Sequence, residues 1–422
     1  MTQDRRTDTT PDFLKRHWYV AVLGAREHYS IAHGFEVAGR LKYLFTDAWC
    51  RVGSGFLKRA PGPFRGLATR FHPGIPSSKV VSFTPYTLLR ELRQRKVTDN
   101  ARAYMNYIEQ GKWFAQRVNR CLARQTNHAP NDGYIGFSSG ALETLQFTRS
   151  KGIFSIIDQI DPGRVEEEMV FQESLKWPGW QIATGRIPDA FYERLSAEWD
   201  EADCVLVNSK WSLEALVKQD VPRSKLIVVP LAYEPIARKV THTKPPSGVE
   251  LRVLWLGTVN LRKGIAYLIE AAKRLKDTNI RITVAGQLGI SEAAVASAPS
   301  NMTFIGRVTR DQAASVYERA DVFVLPTISD GFAITQLEAM SHGLPVITTP
   351  NCGEVVTHGV DGLIVPAMDA EALAGAIVRL DDDRALLNQM SAAALVKCRQ
   401  FSIQNQIDSI DSQSAVLSDI RV

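Results

Sequence analysis

The sequence predicts an α/β protein made of two doubly wound parallel-sheet domains. Short apolar runs of strand length, such as Leu251–Leu256 and Val322–Leu325, alternate with stretches that carry apolar residues at helical spacing. That alternation is the signature of strand, crossover helix and parallel strand. A segment with three prolines, residues 234–250, separates two such series. The chain has 422 residues, enough for two cores of about 200 residues each.

Composition narrows the class. The chain is 45% hydrophobic and 23% charged, ordinary for a globular protein. No apolar run approaches the ~18 residues that a membrane span needs. The polar residues 1–13 lack the apolar core of a signal peptide, so the expected location is cytoplasmic. Five cysteines are scattered without a CxxC pair, which predicts intracellular thiols and no zinc site. Charge is unevenly placed: residues 1–150 hold 23 Lys+Arg against 11 Asp+Glu, and the remainder holds 27 against 34. A basic first third suits an acidic partner, such as an anionic lipid surface, a diphosphate-linked acceptor or nucleic acid; the plain alternative is a solvated basic surface.

The elements follow in order. Residues 1–15 read as a loose lead. A buried strand at 18–23 is followed by a glycine turn, a helix at 30–38 and a strand at 41–45. Such a first strand-to-helix turn is where open α/β sheets bind ligands. In the basic insertion 52–100, Phe56, Phe64, Leu67 and Phe71 are interleaved with Lys58, Arg59, Arg65 and Arg70. This suits peripheral contact with the inner face of an anionic membrane, or nucleic acid, or an insertion packed on its own domain. Helices are predicted at 86–95, 102–124 and 140–149, and strands at 134–137 and 154–157. Asp158 and Asp161 end the last of these. Asp161-Pro162 reads as a cap for an acidic helix at 164–171, with Glu166, Glu167, Glu168 and Glu173 on a solvated face. A strand at 204–207, a helix at 211–218 and a strand at 226–229 complete the first domain, residues 16–233.

The second domain, residues 251–400, opens with the strand Leu251–Leu256 and the turn Gly257-Thr258. Arg262 and Lys263 stand between that turn and a helix at 265–275. Cations there run against the helix dipole, and neutralising a diphosphate explains them. Strands at 280–285 and 302–305 end in Gly286 and Gly306-Arg307-Val308. The strand Val322–Leu325 is stopped by Pro326, and a turn with Asp330 and Gly331 leads into a helix at 335–342. A helix N-terminus at such a turn favours an anion. Two acids beside it, Asp330 and Glu338, suit hydrogen bonds to sugar hydroxyls; Glu338 is equally read as a helix-surface acid. A helix at 371–380 and a final one in 401–422, crossing back to the first domain, close the chain.

Asp330-Gly331-Phe332, Glu338-Ala339-Met340, residues 343–347 (GLPVI) and residues 362–366 (GLIVP) resemble the nucleotide-sugar signature of retaining glycosyltransferases of family 4, whose fold is GT-B. The likeness is close over residues 251–380. The family motif has two acids separated by seven residues, and Asp330 stands where Glu is commoner. The resemblance implies two Rossmann-like domains facing a cleft. It implies a UDP-sugar or GDP-sugar donor, no further cofactor and no metal. Arg262 and Lys263 would meet the β-phosphate; Arg262 substitutes for an Arg that the family carries where this chain has Thr258. Gly257, Thr258 and Gly286 would form the donor-facing turns, with Arg307 and Val308 at the base. Asp330 would hold the donor sugar beside the amides of Gly331, Phe332 and Ala333. The amides of Ile334 and Thr335 would assist the leaving group, and Glu338 would hold the ribose. Asp158 stands where the family often has a His near the reacting sugar. The acceptor would be a glycan or a lipid-linked saccharide, in cell-surface polysaccharide synthesis, with no nucleic-acid partner. An epimerase, a phosphorylase, a nucleotide-sugar-binding protein without turnover and a nucleic-acid module are the competing readings.

Overall fold

In the first strand, β1 (His17–Val22), Trp18, Val20 and Val22 point into one apolar cluster, and Tyr19 and Ala21 into another on the opposite face. A strand covered on both faces reads as a continuous apolar run, which is why such runs mark parallel strands here. The computed structural model describes residues 16–51, 67, 70–93, 99–125, 131–182, 185–234 and 248–419. Phe56, Phe64, Lys58, Arg59 and Arg65 of the basic insertion lie outside the described residues, as do the lead at 1–15 and most of the linker.

The first sheet adds β2 (Leu41–Thr46), β3 (Val80–Ser82), β4 (Asp132–Phe137), β5 (Phe154–Gln159), β6 (Cys204–Val207) and β7 (Leu226–Val228). Its spatial order is β3-β2-β1-β4-β5-β6-β7, with every pairing parallel. The helices are α1 (Ser30–Val37), α2 (Thr84–Arg93), α3 (Asn100–Ala123), α4 (Leu142–Ser150), α5 (Arg164–Lys176), α6 (Asp189–Glu201) and α7 (Lys210–Val217). The second sheet holds β8 (Leu251–Leu256), β9 (Ile280–Ala285), β10 (Met302–Gly306), β11 (Val322–Leu325), β12 (Val346–Thr348) and β13 (Gly362–Ile364). Its order is β10-β9-β8-β11-β12-β13, again parallel throughout. Around it lie α8 (Ile265–Arg274), α9 (Glu292–Ala296), α10 (Arg310–Glu318), α11 (Thr335–Ser341), α12 (Ala370–Asp382) and α13 (Arg384–Lys397). Both sheets are doubly wound, so each has a switch point where strand order reverses: between β1 and β4, and between β8 and β11. Ligands of such sheets bind at the carboxyl ends of the strands there.

The last helix, α14 (Ile403–Asp419), lies on the first sheet's side. Ile403 and Ile407 press on Gly34 of α1 so closely that a Cβ at Gly34 would fall 2.5 Å from the Ile407 side chain. Arg40 pairs with Asp411, and the Gln413 side chain bonds both backbone groups of Val228. All five cysteines are free. Among the described residues no helix is long and apolar enough to cross a membrane.

Some expectations are corrected. Asp161 does not cap α5. The N-cap position belongs to Gly163, in a positive-φ conformation, and the Asp161 carboxylate instead accepts the Gly163 amide and the Gln159 side chain in the turn before it. The acidic face of α5 is not uniformly solvated. Glu173 is 1% exposed, and Glu166 is drawn into the cleft. Helices α6, α9 and α13 and the short strand β3 are additions to the sequence reading.

Candidate functional site

The second sheet's switch point brings two turns together. After β8, Asn260 accepts the Lys263 amide at 3.0 Å and closes a short turn over Leu261–Lys263. Gly264 follows with φ +74. Its missing side chain lets the backbone after β11 come in close, since a Cβ there would fall 1.7 Å from the Pro326 carbonyl oxygen. The Arg262 carbonyl then accepts from the Ile328 amide at 2.9 Å and the Thr327 hydroxyl at 3.1 Å. The second turn is braced from β12's end. Asn351 bonds Ile328 and Asp330 through its side chain and carbonyl, and Thr349 bonds Thr327.

This packing joins residues that are 67 apart in sequence. The Lys263 ammonium pairs with the Asp330 carboxylate, and Arg262 lies 3.7 Å from the same oxygen. Burial, and after it the Arg262 guanidinium, lower the Lys263 ammonium to about 7, with Glu166 pulling the other way. Ala333 holds a left-handed φ of +60, rare for a residue with a side chain. It ends the turn and starts α11, whose first turn no side chain caps among the described residues. Gly257, Gly286 and Gly306 sit at the ends of three adjacent strands. The Gly257 amide bonds Ala285 and the Gly286 amide bonds Gly306. At Gly286, with φ +150, a Cβ would meet the Gly257 carbonyl at 1.6 Å. Thr258 and Arg307 are exposed, and Val308 is half-buried against the cluster that includes Phe323 and Leu337. Glu338 in α11 accepts the Tyr317 hydroxyl at 2.8 Å, and the Tyr317 ring stacks on His342. Burial and the Glu338 carboxylate raise the Tyr317 hydroxyl, so it stays a donor.

Opposite these turns lies a cavity of about 1150 Å³. Leu23, Gly24 and Ser139, at the first sheet's switch point, line one part of it; Arg262, Asp330 and Gly331 line another. The two switch points therefore face one space. Tyr104, Phe171 and Phe191 add aromatic walls. At the first switch point the start of α4 is already satisfied. The buried Glu198 carboxylate accepts the amides of Ser139, Ala141 and Leu142 at 2.7, 2.9 and 3.1 Å. That helix start offers nothing to an external anion, unlike the uncapped turn before α11.

Asp158 is placed apart from the cations. It is fully buried in β5, does not line the cavity, and neither carboxylate oxygen finds a hydrogen-bond partner among the described residues. Burial and then Glu27 raise it well above the usual carboxylate range. Glu27 itself lies in a run of three left-handed residues, Glu27, His28 and Tyr29.

Several residues of the site are not marked in the sequence. Glu166 of α5 reaches Ser329 at 3.0 Å and Arg262 at 3.4 Å. Trp211 donates to the Ser329 hydroxyl at 3.0 Å, and the Lys210 amide donates to Glu354 at 3.1 Å. The Asn208 side chain and the Ile160 carbonyl fit against Gly331, where a Cβ would fall 2.1 Å from that carbonyl. Further along α5, Tyr267 donates to Glu173 at 2.7 Å. Beyond it Gln181 bridges Ile290, and Trp180 packs against the second domain's core. No cluster able to hold a metal ion occurs among the described residues.

Comparison with known structures places the architecture. Anabaena HepE, solved with UDP and glucose, superposes with a TM-score of 0.59 at 12% identity over 96% of this chain and all (100%) of that one. Sucrose-phosphate synthase of Thermosynechococcus elongatus gives 0.63 at 18% identity, over 95% and 99%. At these identities the likeness establishes the fold, GT-B, and nothing further. In sequence, the amylovoran biosynthesis glycosyltransferase AmsK of Erwinia amylovora is 27% identical over 222 residues, 49% of this chain and 53% of that protein. The chain spans between 36% and 53% of the length of the first curated relatives it matches. Residues 250–383, the stretch that contains Arg262, Lys263, Asp330 and Glu338, match the family described as Glycosyl transferases group 1.

Proposed function

We propose that this protein is a retaining glycosyltransferase that moves a sugar from a nucleoside diphosphate sugar to a glycan or lipid-linked acceptor. The observation that carries the reading is the meeting of Arg262, Lys263 and Asp330 at the second sheet's switch point, where Arg262 and Asp330 line the cavity and Lys263 lies behind them. Bond cleavage at the anomeric carbon leaves negative charge on the β-phosphate. Two fixed cations near the uncapped start of α11 would stabilise that charge as it forms, which makes a divalent ion dispensable. Asp330 would then bind donor-sugar hydroxyls, and Glu338, braced by Tyr317, the ribose. The acceptor would enter from the first sheet's side of the cavity and attack on the face the leaving group departs from. The name of one relative, in amylovoran biosynthesis, supports a role in polysaccharide assembly, and so does the basic first third. Peripheral contact with an anionic membrane through residues 52–100 belongs to the same proposal.

The testing experiment is calorimetric titration of the wild type and Lys263→Ala with UDP and with GDP. Binding of one nucleotide, weakened at least tenfold by the substitution, is the expected result. Equal binding by both proteins would remove Lys263 from the site, and no binding of either nucleotide would remove the reading.

A further inference from the structure

The partners of the Arg262 guanidinium are oxygens held at arm's length. Glu166 Oε2 and the Ser329 carbonyl are each 3.4 Å from NH1, and Asp330 Oδ2 is 3.7 Å away. Elsewhere in this protein an arginine with a dedicated partner sits much closer. Arg252 grips Asp321 through two nitrogens at 2.7 and 2.9 Å. Charge-assisted bonds of full strength have that shorter length. Arg262 is therefore neutralised but not captured, and its fork has no bidentate partner among the described residues. The carboxylate that neutralises it comes from the other domain. Glu166 also takes the Ser329 hydroxyl, which Trp211 bonds in turn. One carboxylate thus balances the cation and fastens the turn 329–331 to the first domain. Both Glu166 and Arg262 line the cavity, so a ligand there reaches the pair directly.

We infer that Glu166 is an internal stand-in for a diphosphate on Arg262, so that binding of a diphosphate exchanges one anion for another and releases the turn 329–331 from α5. The inference rests on the proposed diphosphate role of Arg262. It adds a coupling that the reading alone lacks: occupancy of the second domain changes what holds it to the first. A diphosphate offers oxygens in the spacing that a guanidinium fork takes bidentately, and the loose carboxylate yields to it. In the ligand-free protein burial raises the Glu166 carboxyl, and the Arg262 guanidinium opposes that shift.

The test uses inorganic pyrophosphate as the probe, titrated into wild type, Glu166→Gln and Ser329→Ala, with hydrogen exchange followed at residues 160–171 and 327–331. Glu166→Gln keeps the shape and removes the competing charge. It is expected to bind pyrophosphate about tenfold more tightly than wild type, with exchange at both segments raised before ligand is added. Pyrophosphate is expected to raise exchange at both segments in wild type. Ser329→Ala cuts the hydroxyl's bonds to Glu166 and Trp211 but keeps the carboxylate on Arg262, so its affinity stays within about twofold of wild type. Equal or weaker binding by Glu166→Gln overturns the inference, as does exchange at residues 160–171 that pyrophosphate leaves unchanged. The UDP and GDP titrations separate the two claims. Nucleotide binding without a Glu166→Gln gain removes the exchange of anions and keeps the proposed function. A pyrophosphate gain without nucleotide binding does the reverse.

Discussion

A Cβ on Gly264 would stand 1.7 Å from the carbonyl oxygen of Pro326. The contact is backbone on backbone, so no side-chain rotation relieves it. Gly264→Ala must push apart the two turns that carry Arg262 and Asp330. It is expected to cost about 2–4 kcal/mol, combining a left-handed φ penalty with overpacking. Gly306 has a similar φ of +72, but a Cβ there would meet nothing within 4 Å, so Gly306→Ala should cost only about 1–2 kcal/mol. Urea denaturation midpoints of the two variants check this; equal losses would mean that the close approach is not strained by a side chain.

The carboxylate of Glu198 is buried, with three backbone amides as donors and Arg194 beside it at 3.8 Å. Glu198→Ala leaves those amides unpaired in a dry site. A loss of about 3–5 kcal/mol follows from removing one member of a buried charged network, read from the same denaturation curves. Glu201 on the same helix pairs with an exposed arginine, and Glu201→Ala should cost under about 1 kcal/mol.

Stability should fall as pH rises from 4.5 to 7. Burial lifts Glu27 from 4.5 to about 7, opposed by Ser30 and Arg26, and Asp158 is lifted in the same direction by burial and then Glu27, with Arg26 opposing. A folded-state carboxyl above its unfolded value keeps its proton where the unfolded chain has lost it, so stability declines across that window. For Glu27 alone the loss approaches about 3 kcal/mol at most. Glu27→Gln should flatten the decline. Midpoints at pH 5.5 and pH 8 measure it, and a variant that declines as steeply as wild type would show that Glu27 is not the titrating group.

Diphosphate binding should take up protons near pH 8. With Lys263 lowered to about 7 by burial and Arg262, most free protein carries it neutral at that pH, while a bound diphosphate favours the ammonium. Calorimetry with UDP in buffers of different ionisation enthalpy should show an uptake at pH 8 that is smaller in Lys263→Met. An enthalpy independent of buffer would contradict a neutral Lys263 in the free protein.

Much of the second domain can be read directly from the chain. β8 and β11 are wholly apolar or nearly so, β9 alternates Arg281 and Thr283 with apolar residues, and glycine or proline ends each one, so their limits are visible without a structure. The cations at 262–263 and the acid at 330 are legible for a similar reason, because each breaks an otherwise regular strand-to-helix turn. Helix α6 announces itself only faintly, through the spacing of Tyr192, Leu195 and Trp199. Glu166 announces nothing. It stands among acids on a helix of little amphipathic contrast, and its importance comes from facing Arg262, 96 residues away in the other domain. Local pattern does not encode such an encounter. The same holds for Asp158, whose charged neighbours, Glu27 and Arg26, come from the turn after β1.

Trp180 belongs by sequence to the first half and by packing to the second. Its neighbour Gln181 adds a bridge to Ile290, and the Ser291 amide bonds the Trp180 carbonyl at 2.7 Å. The stretch that matches the family model, residues 250–383, therefore has part of its core and edge covered by residues 180–182. Cut free, it would bare the apolar surface that Trp180 covers and lose the bonds that residues 180–182 make to Gly289 and Ser291. A tryptophan from the first half thus closes a seam that no residue within 250–383 closes by itself.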